Sequence, residues 1–245
     1  MKKISWNIEK FNILSSTNDA LREQALSFAE GKVYIAKEQT SGKGSKGRSF
    51  LSKKGGLYMS LLLKPEQKGF CATGITCLTA VAMSEAIKKV FNEDIRIKWV
   101  NDLIYKNKKL GGILVEGKIT GVSFDYVIVG VGVNITKPEG GFDGEIKNIA
   151  THLVDNCTDE DREKLVSEFL DRFAYYYADF EKGLYKSKYK SLSAILGKTV
   201  TVKHASGETV GVAVDIDNQN RLIVKNACTE YAFSSGEVIK VNYER

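Results

Sequence analysis

The chain has 245 residues, 43% of them hydrophobic, and 36 Lys and Arg against 30 Asp and Glu give a net charge of +6. That length allows one large domain, or one plus a small module, and the mild excess of base suits phosphorylated substrates or an acidic partner while falling short of an argument for nucleic acid. No apolar run approaches membrane-spanning length, the opening MKKISWNIEKF lacks a signal-peptide core, and His152 and His204 lie too far apart for a metal site or a Ser-His-Asp triad.

A cytoplasmic protein without a membrane partner or a protein-held metal is therefore expected, its four cysteines, Cys71, Cys77, Cys157 and Cys228, reduced and structural. Chemistry, if there is any, must rest on lysine, arginine, carboxylates, backbone donors or a magnesium ion.

In chain order, SSTNDALREQALSFAEG (15–31) offers Ser16 and Thr17 as N-caps, apolar residues at helical spacing (Leu21, Ala25, Leu26, Ala29) and Gly31 as a stop. It predicts a helix. KVYIAKE (32–38) alternates apolar and polar side chains and predicts a strand. The next stretch, QTSGKGSKGRSF (39–50), has the spacing of a dinucleotide motif and nearly that of a P-loop. Both need a helix after the glycines, yet LYMSLLLK (57–64) predicts a second strand. Rossmann and Walker loops are thereby excluded. Lys43, Lys46, Arg48, Lys53 and Lys54 crowd this segment with no acid between Gln39 and Gly56. Two readings stay open: a solvated surface loop, or an anion-binding loop whose glycines let backbone approach a ligand.

CATGITCLTAVAMSEAIKKVF (71–91) is apolar on most faces and predicts a helix buried against a sheet. Strands are expected over 95–100, 110–116 and 122–135, with turns at 106–108 and 120–121. Lys98, Trp99, Asn101, Asp102 and Lys109 fall at a strand end and the following hairpin, where they form either a solvated charged turn or one wall of a pocket. Gly130 and Gly132 interrupt a strongly β segment, marking a close ligand or backbone approach or else a bulge. Residues 159–183 predict an amphipathic helix whose Tyr175 to Tyr177 run belongs to packing rather than to stacking on a ligand. From Gly197 the texture changes to five short β-branched runs. The expected architecture is α+β: a larger domain (1–196) with a mixed, mainly antiparallel sheet flanked by helices, then an SH3-like β-barrel module (197–245).

Taken together, SSTND (15–19), EQTSGKGSKGRSF (38–50), GLYMSLLLKP (56–65), IKWVNDLIYKNKKLGGILVE (97–116) and VGVGVNI (129–135), in this order and ahead of a small β module, resemble the biotin protein ligases. The resemblance implies a class II synthetase-like biotin/lipoate ligase domain that joins biotin to ATP, with Mg²⁺, and passes biotin from biotinyl-5′-AMP to a lysine of a biotin carboxyl carrier domain. It implies that Ser16, Thr17, Asn18 and Gln39 hydrogen-bond biotin, with Gly42, Lys43 and the backbone at Gly111 and Gly112 completing that pocket. Lys109 becomes the catalytic cation, with Arg48 beside it and Asp102 orienting or deprotonating the acceptor lysine. Nucleotide contacts are implied for Gly44, Ser45, Lys46, Gly47, Arg48, Lys98 and Lys109, with Phe50 over the adenine. Asn101 and Asn134 would bond ligand or neighbouring backbone.

The family loop is written G-R-G-R-x-G-R-x-W. Here Lys43, Ser45 and Phe50 replace Arg, Arg and Trp, and Val100 replaces a proline. Ser45 loses a charge, which predicts weaker retention of the adenylate unless Lys46 or Arg48 compensates. About a dozen residues precede Ser15, so no DNA partner is expected. Sheet edges could mediate a homodimer or dock the carrier domain by strand addition. The rivals are a lipoate or octanoate ligase, which shares the fold, and a non-catalytic basic binding protein.

Overall fold

The structure, a computed structural model, describes residues 4–66, 70–227 and 229–242. Cys228 and the chain after Asn242, the end of the last predicted strand included, lie outside the described residues. A seven-stranded sheet comprises β1 (Asn7–Leu14), β2 (Lys32–Gln39), β3 (Gly56–Leu63), β4 (Arg96–Lys98), β5 (Asp102–Tyr105), β6 (Lys108–Thr120) and β7 (Ser123–Asn134), in the order β1-β2-β3-β7-β6-β5-β4. Only β1 and β2 run parallel, because helix α1 (Thr17–Glu23) carries the chain back between them; every other pair is antiparallel. Lys106 and Asn107 both have positive φ, the backbone of a tight turn whose twist matches the β5–β6 hairpin.

One face of this sheet is covered by helix α2 (Ala72–Phe91), which packs in turn on α3 (Asp159–Ala178) and α4 (Tyr185–Ser191). Every residue from Gly74 to Ser84 is buried, as an all-round apolar sequence requires. The hydroxyls of Thr76, Thr79 and Ser84 bond the carbonyls four residues back, at 2.8, 2.6 and 2.8 Å, so burial leaves them satisfied. Thr158 and Asp161 form a reciprocal capping box at the start of α3. On that helix Tyr176 and Tyr177 are buried while Tyr175 points outward. The other face holds a smaller cluster, Leu21 and Ala25 against Tyr34, Leu62, Tyr126 and Ile128. Strands β8 (Thr199–His204), β9 (Gly207–Ile216), β10 (Leu222–Asn226), β11 (Thr229–Phe233) and β12 (Glu237–Val241) form a separate antiparallel sheet, ordered β11-β10-β9-β8-β12.

Several expectations need correction. The first helix ends at Glu23 and continues as turns, in which Ala25 is buried and Leu26 is 63% exposed. The strand expected over 95–100 closes at Lys98 and a further strand, β5, begins at Asp102. Strand β1 has no legible apolar alternation because it is an edge strand exposed along most of its length. Helix α4 shows in sequence only as the i, i+4 pair Tyr185 and Tyr189, both buried.

Candidate active site

Gly130 and Gly132 lie inside β7 with its pairing to β3 and β6 uninterrupted on both sides, so they mark close approach and not a bulge. A Cβ on Gly130 would stand 2.3 Å from Asn18 Oδ1, and one on Gly132 would stand 2.7 Å from the Phe50 ring. The sheet is stripped of side chains where α1 and the basic loop cross it. Above this floor is a cavity of about 210 Å³.

One end of the cavity is a network of neutral polar groups. Gln39 Oε1 accepts from the Thr17 amide at 2.7 Å and from its hydroxyl at 3.0 Å, while Gln39 Nε2 donates to Ser52 at 2.9 Å. Ser60 Oγ is 2.7 Å from Thr17 Oγ1 and 2.6 Å from Asn18 Oδ1, and Asn18 Nδ2 donates to Glu116 at 2.7 Å. Ser16 caps α1 by accepting from the Asp19 amide. These side chains are held by one another, which fixes their geometry before any ligand arrives. Asp19 ties Arg22 and, at 2.7 Å, Lys43 to this end; burial works against its ionisation, but Lys43 and Arg22 outweigh it and hold the carboxyl below its ordinary range.

The other end is charged. Lys109 Nζ is 2.5 Å from Asp102 Oδ1 and Lys98 Nζ is 3.0 Å from Oδ2. Burial of Asp102 again opposes ionisation, and the two lysines more than offset it, keeping the carboxyl below the usual range. Lys109 lines the same cavity as Lys43, Gly44, Ser45, Arg48 and Phe50 of the loop, so the two basic segments do converge. A second cavity of about 200 Å³ adjoins it and is lined by Lys46, Lys98 and Asp102, with Ser45, Arg48 and Asn101 common to both.

Not every predicted residue faces a ligand space. Gly112 lines the main cavity, whereas Gly42, Gly47 and Gly111 are on neither wall; a Cβ on Gly111 would meet the Gly132 carbonyl at 2.2 Å and one on Gly42 would meet Ser52 at 2.3 Å, so both glycines serve close packing. Asn101 and Asn134 spend their amides on backbone, donating to the carbonyls of Ile113 at 2.9 Å and Thr151 at 3.1 Å. Phe50 rests on Gly132 with its ring edge-on to Tyr58.

Sequence reasoning missed three contributors. Ser60 is a fully buried hydroxyl in the apolar run of β3, an interruption that signals a polar partner. The 136–151 segment brings Phe142, Ile146 and Ile149 to the cavity rim; its signal was apolar residues spaced four and three apart in a glycine-rich stretch. Glu237, on β12, carried no local signal at all. Among the described residues no three His, Cys, Asp or Glu side chains gather as a metal cluster, and no helix is long and apolar enough to cross a membrane.

Residues 11–134 match the biotin/lipoate A/B protein ligase family and residues 195–241 match the biotin protein ligase C-terminal domain. The chain is 30% identical over 220 residues to the bifunctional ligase/repressor BirA of Bacillus subtilis, covering 87% of this chain and 68% of that one. It is 30% identical over 239 residues to a biotin–[acetyl-CoA-carboxylase] ligase of Mycobacterium tuberculosis, covering 91% and 85%. The structure superposes on the biotin protein ligase of Aquifex aeolicus in complex with biotin and ATP with a TM-score of 0.79, at 26% identity, over 94% of this chain and 97% of the other. The chain belongs to the biotin/lipoate A/B protein ligase family, among its biotin protein ligases.

Proposed function

We propose that the protein activates biotin with ATP and transfers it to a lysine of a biotin carboxyl carrier domain, with the division of labour that follows. The observation that carries this reading is the convergence of Lys109 with Lys43, Gly44, Ser45 and Arg48 of the loop on one cavity that Thr17, Asn18 and Gln39 also line. A neutral ureido ring suits the Thr17, Asn18 and Gln39 end; a carboxylate and a phosphate suit the Lys109 end.

In the first step an oxygen of the biotin carboxylate attacks the α-phosphorus, the bond to the β-phosphate oxygen breaks, and pyrophosphate leaves. Two anions must meet, so the barrier is lowered chiefly by positioning and by cations at the point of contact. Lys109 is that cation, with Arg48 across the cavity. Phe50, Phe142, Ile146 and Ile149, which line the same cavity, offer apolar surfaces to the adenine. In the second step the acceptor amine attacks the mixed anhydride and AMP leaves. Asp102, kept ionised by two lysines, is a poor proton acceptor but a good partner for an ammonium group and for the positive charge that grows on nitrogen as the new bond forms. It is an orienting group first. Among the described residues no three acidic, cysteine or histidine side chains gather to cage a metal, so a Mg²⁺ ion would enter with the nucleotide, bound mainly through phosphate oxygens and water.

For the carrier domain, or for a second copy of the chain, strand addition could use an edge of the seven-stranded sheet. Residues 192–194 cover β4, with Ile97 bonded to Leu192 and Ala194, which leaves β1. Incubation with ATP and labelled biotin or lipoate, without acceptor, tests the function: biotinyl-adenylate and no lipoyl-adenylate is expected. Lipoyl-adenylate would move the protein to the lipoate ligases, and no adenylate from either acid would make it a binding protein.

A further inference from the structure

The loop cations find their counter-charge in the second sheet. With no acid between Gln39 and Gly56, Lys46 and Arg48 have no local partner. Both reach Glu237, the first residue of β12: Arg48 Nη1 lies 2.5 Å from Oε1 and Lys46 Nζ 3.3 Å from Oε2. Ser45 braces the guanidinium, its carbonyl accepting from Arg48 Nε and its hydroxyl from Nη2, each at 3.3 Å. Glu237 is only 24% exposed, whereas Arg48 and Lys46 are about half exposed. Burial disfavours its charge, but Arg48 and Lys46 outweigh that and hold its carboxyl below the ordinary range.

This carboxylate stands on the wall of the second cavity, which Lys98 and Asp102 also line. The two cavities meet at Ser45, Arg48 and Asn101. With the α-phosphate beside Lys109 in the first cavity, the rest of a nucleotide's phosphate chain has the second one next to it. What that space offers an anion is Arg48, Lys46 and Lys98, and two of these three are held by Glu237.

We propose that Glu237 is an internal counter-anion of the phosphate-binding loop: its carboxylate occupies Arg48 and Lys46 until the β- and γ-phosphates of the nucleotide, or free pyrophosphate, displace it. The inference rests on the adenylate-forming reading above. The step is an exchange of ion pairs in which no covalent bond changes. A phosphate chain carries more charge and more acceptor oxygens than one carboxylate, so it wins the exchange. Its net affinity is lowered by the pairing it must break. The same competition favours the end of the first step. Once pyrophosphate departs, Glu237 returns to the loop and ties residues 46–48 to the C-terminal sheet while the adenylate is still in the main cavity. Glu237 is thus a specificity and positioning residue for the polyphosphate, and not a catalytic one.

Biotin-dependent ATP–pyrophosphate exchange by the full chain tests this with Glu237→Gln, which keeps the shape and removes the charge. The KM values for ATP and for pyrophosphate are expected to fall roughly threefold to tenfold, as one partly exposed ion pair allows, with the KM for biotin unmoved. Added salt should narrow the difference between variant and wild type, because it screens the pairing that is lost. Asp215→Asn is the control. It removes another ion pair between the two parts of the chain, Lys190 with Asp215 at 2.7 Å, away from both cavities, and should leave these constants where they are. An unchanged or raised KM for ATP in Glu237→Gln overturns the proposal, as does an equal shift in Asp215→Asn. Glu237→Ser gives the same readout should the glutamine variant lose its thermal transition. Exchange absent from the wild type would refute the adenylation reading and this inference with it; normal wild-type exchange with unmoved constants in the variants refutes this inference alone.

Discussion

Lys109→Ala separates catalysis from folding because of what it leaves behind. The ammonium lies 2.5 Å from Asp102, and the side chain is 36% exposed. Its removal does not orphan the carboxylate, which keeps Lys98 at 3.0 Å. The loss in stability is that of one partly solvated ion pair, about 1 kcal/mol, or a fall in Tm of about 2–4 °C for a chain of this size. The effect on adenylation is of another order. A charge placed where two anions meet contributes to the transition state much as an oxyanion-hole donor does, and deleting such a donor costs about 2.7–4 kcal/mol, roughly 10²–10³-fold in rate. The assay is biotin-dependent ATP–pyrophosphate exchange, run beside a thermal unfolding curve. A variant that exchanges within roughly tenfold of wild type, with its Tm barely moved, refutes the assignment of Lys109 as the cation between carboxylate and α-phosphate. A variant that unfolds at assay temperature refutes the claim that Lys98 suffices for Asp102.

Asp102→Asn should act on the other half-reaction: adenylate still accumulates, while transfer to an acceptor lysine falls by roughly 10² or more, and equal loss of both steps would defeat the orienting role. The same residue sets a pH dependence. Because the folded state lowers its pKa, its contribution to stability is fully present above the ordinary value of 3.8 and is lost as pH falls through the lower folded value; denaturant titrations should show wild type losing more stability than Asp102→Asn as pH drops from 3.8 toward that lower value. Ser45→Arg restores a cation at the junction of the two cavities, and one charge-assisted hydrogen bond of about 1.5–3 kcal/mol should slow release of biotinyl-adenylate by roughly tenfold or more. No slowing would refute the idea that the missing arginine weakens retention of the adenylate. Gly130→Ala puts a methyl 2.3 Å from Asn18 Oδ1, an atom already held by Ser60, so it should destabilise the fold by about 1–3 kcal/mol and weaken biotin binding, measured by unfolding and by calorimetry.

What could be read from the sequence was whatever a short window determines. The buried helix at 72–91 announces itself by an apolar run too long for a strand, and the five runs after Gly197 by β-branched residues between turns. The loop at 39–56 was legible as basic and glycine-rich, but its two readings could not be told apart locally. The sheet adds what the window lacks by bringing Lys109, seventy positions on in the chain, to the same cavity. Where local pattern was thin the reading failed. Strand β1 is exposed along most of its length and has no alternation to detect, and β5 was absorbed into a hairpin because four residues between Asp102 and Tyr105 give no period.

The deeper limit concerns charge. A window that holds five cations and no acid looks uncompensated, and by sequence alone it reads equally as a solvated surface or as one that binds an anion. In the fold much of that charge is answered from a distance: Asp19 takes Lys43 across 24 positions and Glu237 takes Arg48 across 189. An ion-pair partner needs only to be present in space, and nothing in its own neighbourhood in sequence records the pairing. A basic loop should therefore be expected to bind its ligand against an internal competitor, and the affinity such a loop shows is the difference between two pairings. For this chain that difference is set by Glu237, so the nucleotide affinity of a loop of fixed sequence should shift with a substitution made nearly two hundred residues away.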